Sequence, residues 1–253
     1  VDPFKPTRVI GLGDGYNDTR TTTGALAPTV REGAGTLGSV VEQIAVYFGQ
    51  SNVVSYASGG QRIGDLATQI TSVGSFSSGD LVVITVGAFD VKANAIPATA
   101  AQTLVTQVQR ILDAGAKHVL IMPVLDVSRT PWGRSATFST TATNTFNDAM
   151  LAALGSAFGG QSANTVIYAN TSGVTAAFLT ATSMTPFSPF TDTGFNNTAA
   201  GTTPACGNAT AFVGCDASAA NASYTTMLFA DGMHLTPAGN RWVASYLYNA
   251  TAQ

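Results

Sequence analysis

The chain has 253 residues, of which 45% are apolar and only 10% charged, with a formal net charge of -3. That length suits one sizeable core, so one domain over residues 1–253 is expected, and the balance excludes a disordered polyampholyte. The eleven Lys and Arg are scattered and form no basic stripe able to neutralise a phosphate backbone, so nucleic acid is not an expected partner.

The opening VDPFKPT carries no basic-then-apolar leader, as expected of a mature exported chain or of a trimmed one. Arg8–Leu12 reads as a first strand, followed by Gly13-Asp14-Gly15-Tyr16-Asn17-Asp18. Asp14, Asn17 and Asp18 have oxygens that suit a cation, but closely spaced acids at a strand-to-helix turn more often cap the turn, so no metal is expected. Thr36–Phe48 spaces its apolar residues as an amphipathic helix does, and Asn52–Tyr56 reads as a second strand leading into Ala57-Ser58-Gly59-Gly60. After a helical pattern over Arg62–Val73, Asp80–Val86 is a third strand that runs into Gly87-Ala88-Phe89-Asp90. The apolar run Leu81–Phe89 stops at Asp90, far short of the ~20 residues that span a bilayer.

A helix over Ala98–Ala114 precedes a fourth strand, His118–Pro123, at whose start His118 is expected to be structural. Trp132, between Pro131 and Gly133, follows that strand on the side where a pocket would form. A helix over Ala142–Ala157 and a strand over Thr165–Tyr168 complete the pattern. The stretch from Thr182 to Ser223 is long and irregular, with Phe187, Phe190 and Phe195 before Cys206 and Cys215. It reads as a flap over a site, or as a surface loop packed on its own aromatics. A disulfide closing the short Cys206–Cys215 loop would stabilise by roughly 2–3 kcal/mol and persists only in oxidising compartments. Two unpaired thiols are the alternative, and with two histidines in the chain zinc is a poorer one. Asp231-Gly232-Met233-His234 precedes a last helix, Pro237–Tyr248, with Thr236 as N-cap and Pro237 in its first position.

Short Val- and Ile-rich strands alternating with amphipathic helices predict a three-layer α/β/α sandwich around a five-stranded parallel, flavodoxin-like sheet, with ligands beyond the strand C-termini. Four of the segments above fall at that edge: those around Gly15, Gly59 and Phe89, and the Asp231–His234 segment. Their order and positions resemble the SGNH/GDSL hydrolases over nearly the whole chain, and the cysteine-containing segment resembles that of secreted bacterial esterases and lipases in the family.

The resemblance implies carboxyl-ester hydrolase ancestry. In the family the first segment usually reads Gly-Asp-Ser with the serine as nucleophile, a glycine and an asparagine complete the oxyanion hole, and Asp and His three residues apart activate the serine. Gly59, Asp231 and His234 match, and Asp14, Asp18 and Asp90 are present in supporting places. Gly15 stands where the serine is expected, although its N–H could still face an oxyanion, and Phe89 stands where the asparagine is expected. Trp132 is added as a pocket-lining residue. Losing one oxyanion donor costs about 10²–10³ in rate, and losing a triad serine on the order of 10⁶.

Impaired catalysis is therefore expected, with a cleft that binds without turnover. The alternatives are an enzyme using water on His234–Asp231 or a hydroxyl such as Ser58, and an active esterase carrying inactivating changes. The expected ligand is a small acyl ester, lipid or acetylated glycan, bound by a secreted or periplasmic monomer that uses no cofactor.

Overall fold

The computed structural model describes residues 4–19, 27–33, 38–160, 165–169 and 203–251. Five parallel strands, β1 (Arg8–Gly13), β3 (Val53–Ser55), β4 (Asp80–Thr85), β5 (His118–Met122) and β6 (Thr165–Tyr168), form a sheet in the order β3-β1-β4-β5-β6. Counted by themselves these strands run 2-1-3-4-5, the flavodoxin-like order. β4 lies between β1 and β5, and all six of its residues are buried. Its middle residues, Leu81–Ile84, are the uninterrupted apolar run that a strand with both faces covered needs.

Helices flank the sheet. α1 (Val40–Tyr47) packs on α7 (Pro237–Thr251), while α4 (Pro97–Asp113) packs on α2 (Leu66–Val73) and α6 (Thr140–Phe158). The first turn of α1 is closed by a capping box: Glu42 N donates to Ser39 Oγ, and Glu42 Oε2 accepts from Ser39 N at 2.9 Å. α4 begins on Pro97, where a missing N–H costs nothing. The Thr236 hydroxyl accepts from Gly239 N at 3.1 Å, as its position before α7 predicted.

Several boundaries differ from the sequence reading. The pattern over Arg62–Val73 divides into a 3₁₀ turn, Ile63–Asp65, and then α2. Two short helices, α3 (Ala88–Lys92) and α5 (Pro131–Ser135), fill segments to which the sequence pattern assigns no element. A separate two-stranded ladder pairs β2 (Val30–Arg31) with β7 (Cys215–Asp216), and the Arg31 guanidinium binds Asp216 at 2.9 Å. Elements this short have no periodicity to read. Phe187, Phe190 and Phe195 lie outside the described residues.

β1 ends on a residue that must be glycine. Gly13 has φ 110°, and a Cβ there would overlap the Thr85 carbonyl oxygen and lie 2.7 Å from its carbon. Its backbone is gripped by the Gln69 amide, which accepts from Gly13 N at 2.6 Å and donates to Gly13 O at 2.9 Å. Gly13→Ala is expected to lower unfolding free energy by about 2–3 kcal/mol or more, read by urea titration, because strain and overlap add at one position.

Candidate functional site

The turn after Gly13 is built by its own polar groups. Asp14 N donates to Thr85 O at 2.7 Å, Asp14 Oδ1 accepts from Tyr16 N, and Asn17 N donates to Asp14 O. The Asn17 amide donates to Leu12 O and Val83 O, tying the turn to β1 and β4. Gly15 is thereby set at the C-terminal edge of the sheet, where ligands of open α/β sheets bind.

Asp231 and His234 arrive there from the segment before α7. Asp231 Oδ1 accepts from Met233 N at 2.9 Å and His234 N at 2.8 Å, which folds the segment into a tight turn around the carboxylate. His234 Nδ1 lies 3.1 Å and 3.0 Å from the two carboxylate oxygens. A carboxylate facing Nδ1 selects the tautomer protonated there, leaving Nε2 as the free base. His234 is 1% exposed, and its Nε2 has no hydrogen-bond partner among the described residues.

Nε2 faces Gly15. A Cβ built on Gly15 would overlap it and lie 2.6 Å from both His234 Cδ2 and Pro28 Cγ. The imidazole occupies the room a side chain at position 15 would need, so the site has closed over its glycine. Among the described residues Nε2 has no partner, so the Ser58 hydroxyl makes no hydrogen bond to His234.

The neighbouring groups set the electrostatics. Burial pulls the His234 imidazole down, but the Asp231 charge and hydrogen bond, with the charges of Asp14 and Asp18, outweigh it and hold the group above its ordinary value. Burial pushes the Asp14 carboxyl up to about 7, against the charge of His234 and the Tyr16 amide. Burial also raises Asp90, whose carboxylate accepts from Ile63 N at 3.1 Å.

The other predicted residues converge with uneven roles. Gly59 N donates to Asp18 Oδ2 at 2.9 Å, so that amide is already engaged. Phe89, on α3 and 9% exposed, lays its ring 5.8 Å from the His234 ring and 5.8 Å from Phe212. Trp132, on α5, is half-buried against Phe212 at 6.4 Å, and the Lys92 ammonium sits over both rings, 4.9 Å from Trp132 and 5.2 Å from Phe212. Trp132 is therefore one ring removed from Phe89 and two from His234.

Sequence reasoning missed Tyr16, whose hydroxyl donates to Met233 O at 2.8 Å, and the Cys206–Cys215 segment's share in the site. The disulfide forms, and Gly214 N donates to Asp231 Oδ2 at 3.0 Å. The position of Phe212 and Gly214 between two cysteines was the available signal. The described half of the stretch read as a flap is thus bonded into the site.

A cavity of about 730 Å³ opens at the other end of the sheet, lined by Phe4, Phe48, His118, Leu120, Ile167 and Tyr248. His118 stacks on Phe4 there at 3.6 Å, at the start of β5 and away from the Asp231–His234 pair. Among the described residues no cluster of His, Cys, Asp and Glu is placed to hold a metal ion, and no helix is long and apolar enough to cross a membrane.

Known structures share this architecture. The acetyl xylan esterase AlAXEase is 16% identical, with 96% of this chain and 98% of that one covered and a TM-score of 0.57. A GDSL-like lipase from Parabacteroides merdae is 12% identical, with 98% and 97% covered and a TM-score of 0.59. A lipolytic G-D-S-L family protein from Veillonella parvula is 14% identical, with 94% of each chain covered and a TM-score of 0.52. At these identities the likeness is one of fold. No curated protein sequence matches the chain. Residues 9–247 match the GDSL-like lipase/acylhydrolase family across its whole site-bearing span, from β1 to α7, and the chain belongs to that family.

Proposed function

We propose that this family member binds an acyl ester, lipid or acetylated glycan without turning it over, Gly15 standing in the place of the nucleophile and Phe89 in that of an oxyanion donor. The observation that carries the reading is His234 Nε2, buried, without a hydrogen-bond partner among the described residues, and closed onto a residue with no side chain. A general base needs a proton to take within reach. At 1% exposure the imidazole offers little room for an attacking water either, which weighs against the water-activating alternative. The half-buried rings of Trp132 and Phe212, with Lys92 across them, offer the ligand a surface beside the closed pair.

One domain carries this function, as a monomer. The cystine supports export, since such bonds persist in oxidising compartments.

Hydrolysis of short-chain p-nitrophenyl esters by the unaltered protein tests the reading. We expect no turnover above that of His234→Ala. Binding is followed through Trp132 fluorescence, with Trp132→Phe as the blank that separates it from the buried Trp242. Turnover that His234→Ala abolishes would sink the proposal.

A further inference from the structure

The ten-residue loop from Cys206 to Cys215 is tied to the Asp231–His234 segment at three points. Cys206 N donates to Ala230 O at 2.8 Å, immediately before Asp231; Gly232 N donates to Ala211 O at 2.8 Å, immediately after it; and Gly214 N donates to Asp231 Oδ2 itself at 3.0 Å. Gly214 leaves no room for a side chain. It has φ 60°, a Cβ there would overlap the Thr29 carbonyl oxygen and lie 2.5 Å from Thr29 N, and Cys215 N donates to Thr29 O at 3.0 Å. The same loop sends Phe212 onto Phe89, whose ring packs on His234.

One carboxylate oxygen, Oδ1, is satisfied within the Asp231–His234 turn, whereas Oδ2 has its main-chain donor from the loop. A buried carboxylate that loses one of its donors turns or takes up water, because its desolvation is then uncompensated. The geometry points to Gly214 as a positioning residue: we propose that the Cys206–Cys215 disulfide holds its amide on Asp231, and that opening the bridge releases the Asp231–His234 pair.

The opening step is ordinary thiol–disulfide exchange. A dithiol reductant gives the cystine two electrons and two protons, leaving two cysteine thiols and becoming a disulfide itself. Both cysteines are half-buried rather than sealed. The proposal does not depend on whether the site hydrolyses esters.

Two histidines in the whole chain make the test direct. Burial lowers the His234 titration while Asp231, Asp14 and Asp18 raise it, with the Tyr16 phenol packed alongside. Imidazole NMR titration of the intact protein is expected to show His234 titrating above an ordinary histidine, with a slowly exchanging Nδ1–H. After reduction with a dithiol, or in Cys206→Ser/Cys215→Ser, the midpoint is expected to fall towards the ordinary value and the protection of Nδ1–H to be lost, while His118 stays put. Gly214→Ala, with the bridge intact, should reproduce the shift by displacing the amide. Asp216→Ala, which breaks only the Arg31 pair, should not. An unchanged His234 in the reduced protein, or loss of both histidine signals together as the fold collapses, would overturn the proposal.

Discussion

Gly15→Ser combined with Phe89→Asn is expected to hydrolyse short-chain p-nitrophenyl esters where the unaltered protein does not, and adding His234→Ala is expected to abolish the gain. The reason for changing both residues is steric as well as chemical. A serine Cβ at position 15 meets His234 Nε2, His234 Cδ2 and Pro28 Cγ, and the imidazole is held from behind by Asp231. Gly15→Ser alone must therefore displace a buried, anchored ring, at a cost of about 1–3 kcal/mol of overpacking. Its hydroxyl then lies poorly aligned for proton transfer.

Phe89→Asn removes the ring that packs on His234 and offers an amide donor in its place. The two changes should therefore be more than additive in kcat/KM, as expected for contacting residues. A donor at position 89 is worth about 10²–10³ in rate, and a nucleophile at position 15 up to about 10⁶. Stability and kcat/KM of both single variants and the double variant decide the matter. A double variant no better than Gly15→Ser would show that Phe89 neither blocks the imidazole nor stands in a donor's place.

Asp14→Asn is expected to stabilise the protein at pH 8 and to leave it nearly unchanged at pH 4. Asp14 is buried, and its carboxyl is pushed up to about 7, against about 3.9 in an unfolded chain. Between those values the folded state holds the proton more tightly, so stability falls as pH rises through the window and the loss is complete above about 7. Three units at ~1.36 kcal/mol each give an upper bound of about 4 kcal/mol for the ionised group's penalty.

His234 adds to the same trend. Its folded value is raised, so its contribution is full below about 6.5 and is lost as pH rises through the folded value. Asp80 works the other way. Burial opposes its ionisation, but Arg8 and the Ser77 amide prevail and lower it, so its contribution is present above the unfolded value and lost in acid. Unfolding free energy of the unaltered protein should therefore be greatest in the mildly acidic range and smaller at pH 8. The difference between Asp14→Asn and the unaltered protein should grow from near zero at pH 4 to a few kcal/mol at pH 8. A difference that is flat across that range would mean that Asp14 is not the buried proton holder.

The sequence by itself determined the architecture. β4 carries an unbroken apolar run, Leu81–Ile84, and α4 is an amphipathic helix begun by Pro97, and such patterns are local consequences of what each face must bury. The strand-end segments were legible for the same reason: Gly13, Asp14 and the Asp231–His234 pair act over one to three residues, and their spacing is their geometry. Tertiary structure decided how those segments meet.

Whether Nε2 of His234 would reach position 15 or crush it depended on packing among Phe89, Pro28 and the imidazole, residues far apart along the chain. Gly59 spends its amide on Asp18, a pairing across two loops. The cysteines announced a bridge, yet nothing in their spacing showed that Gly214 would serve Asp231, because one hydrogen bond across 17 residues leaves no periodic trace. Periodicity records which side of an element is buried, while the site rests on single contacts between elements, which only the folded chain brings within reach.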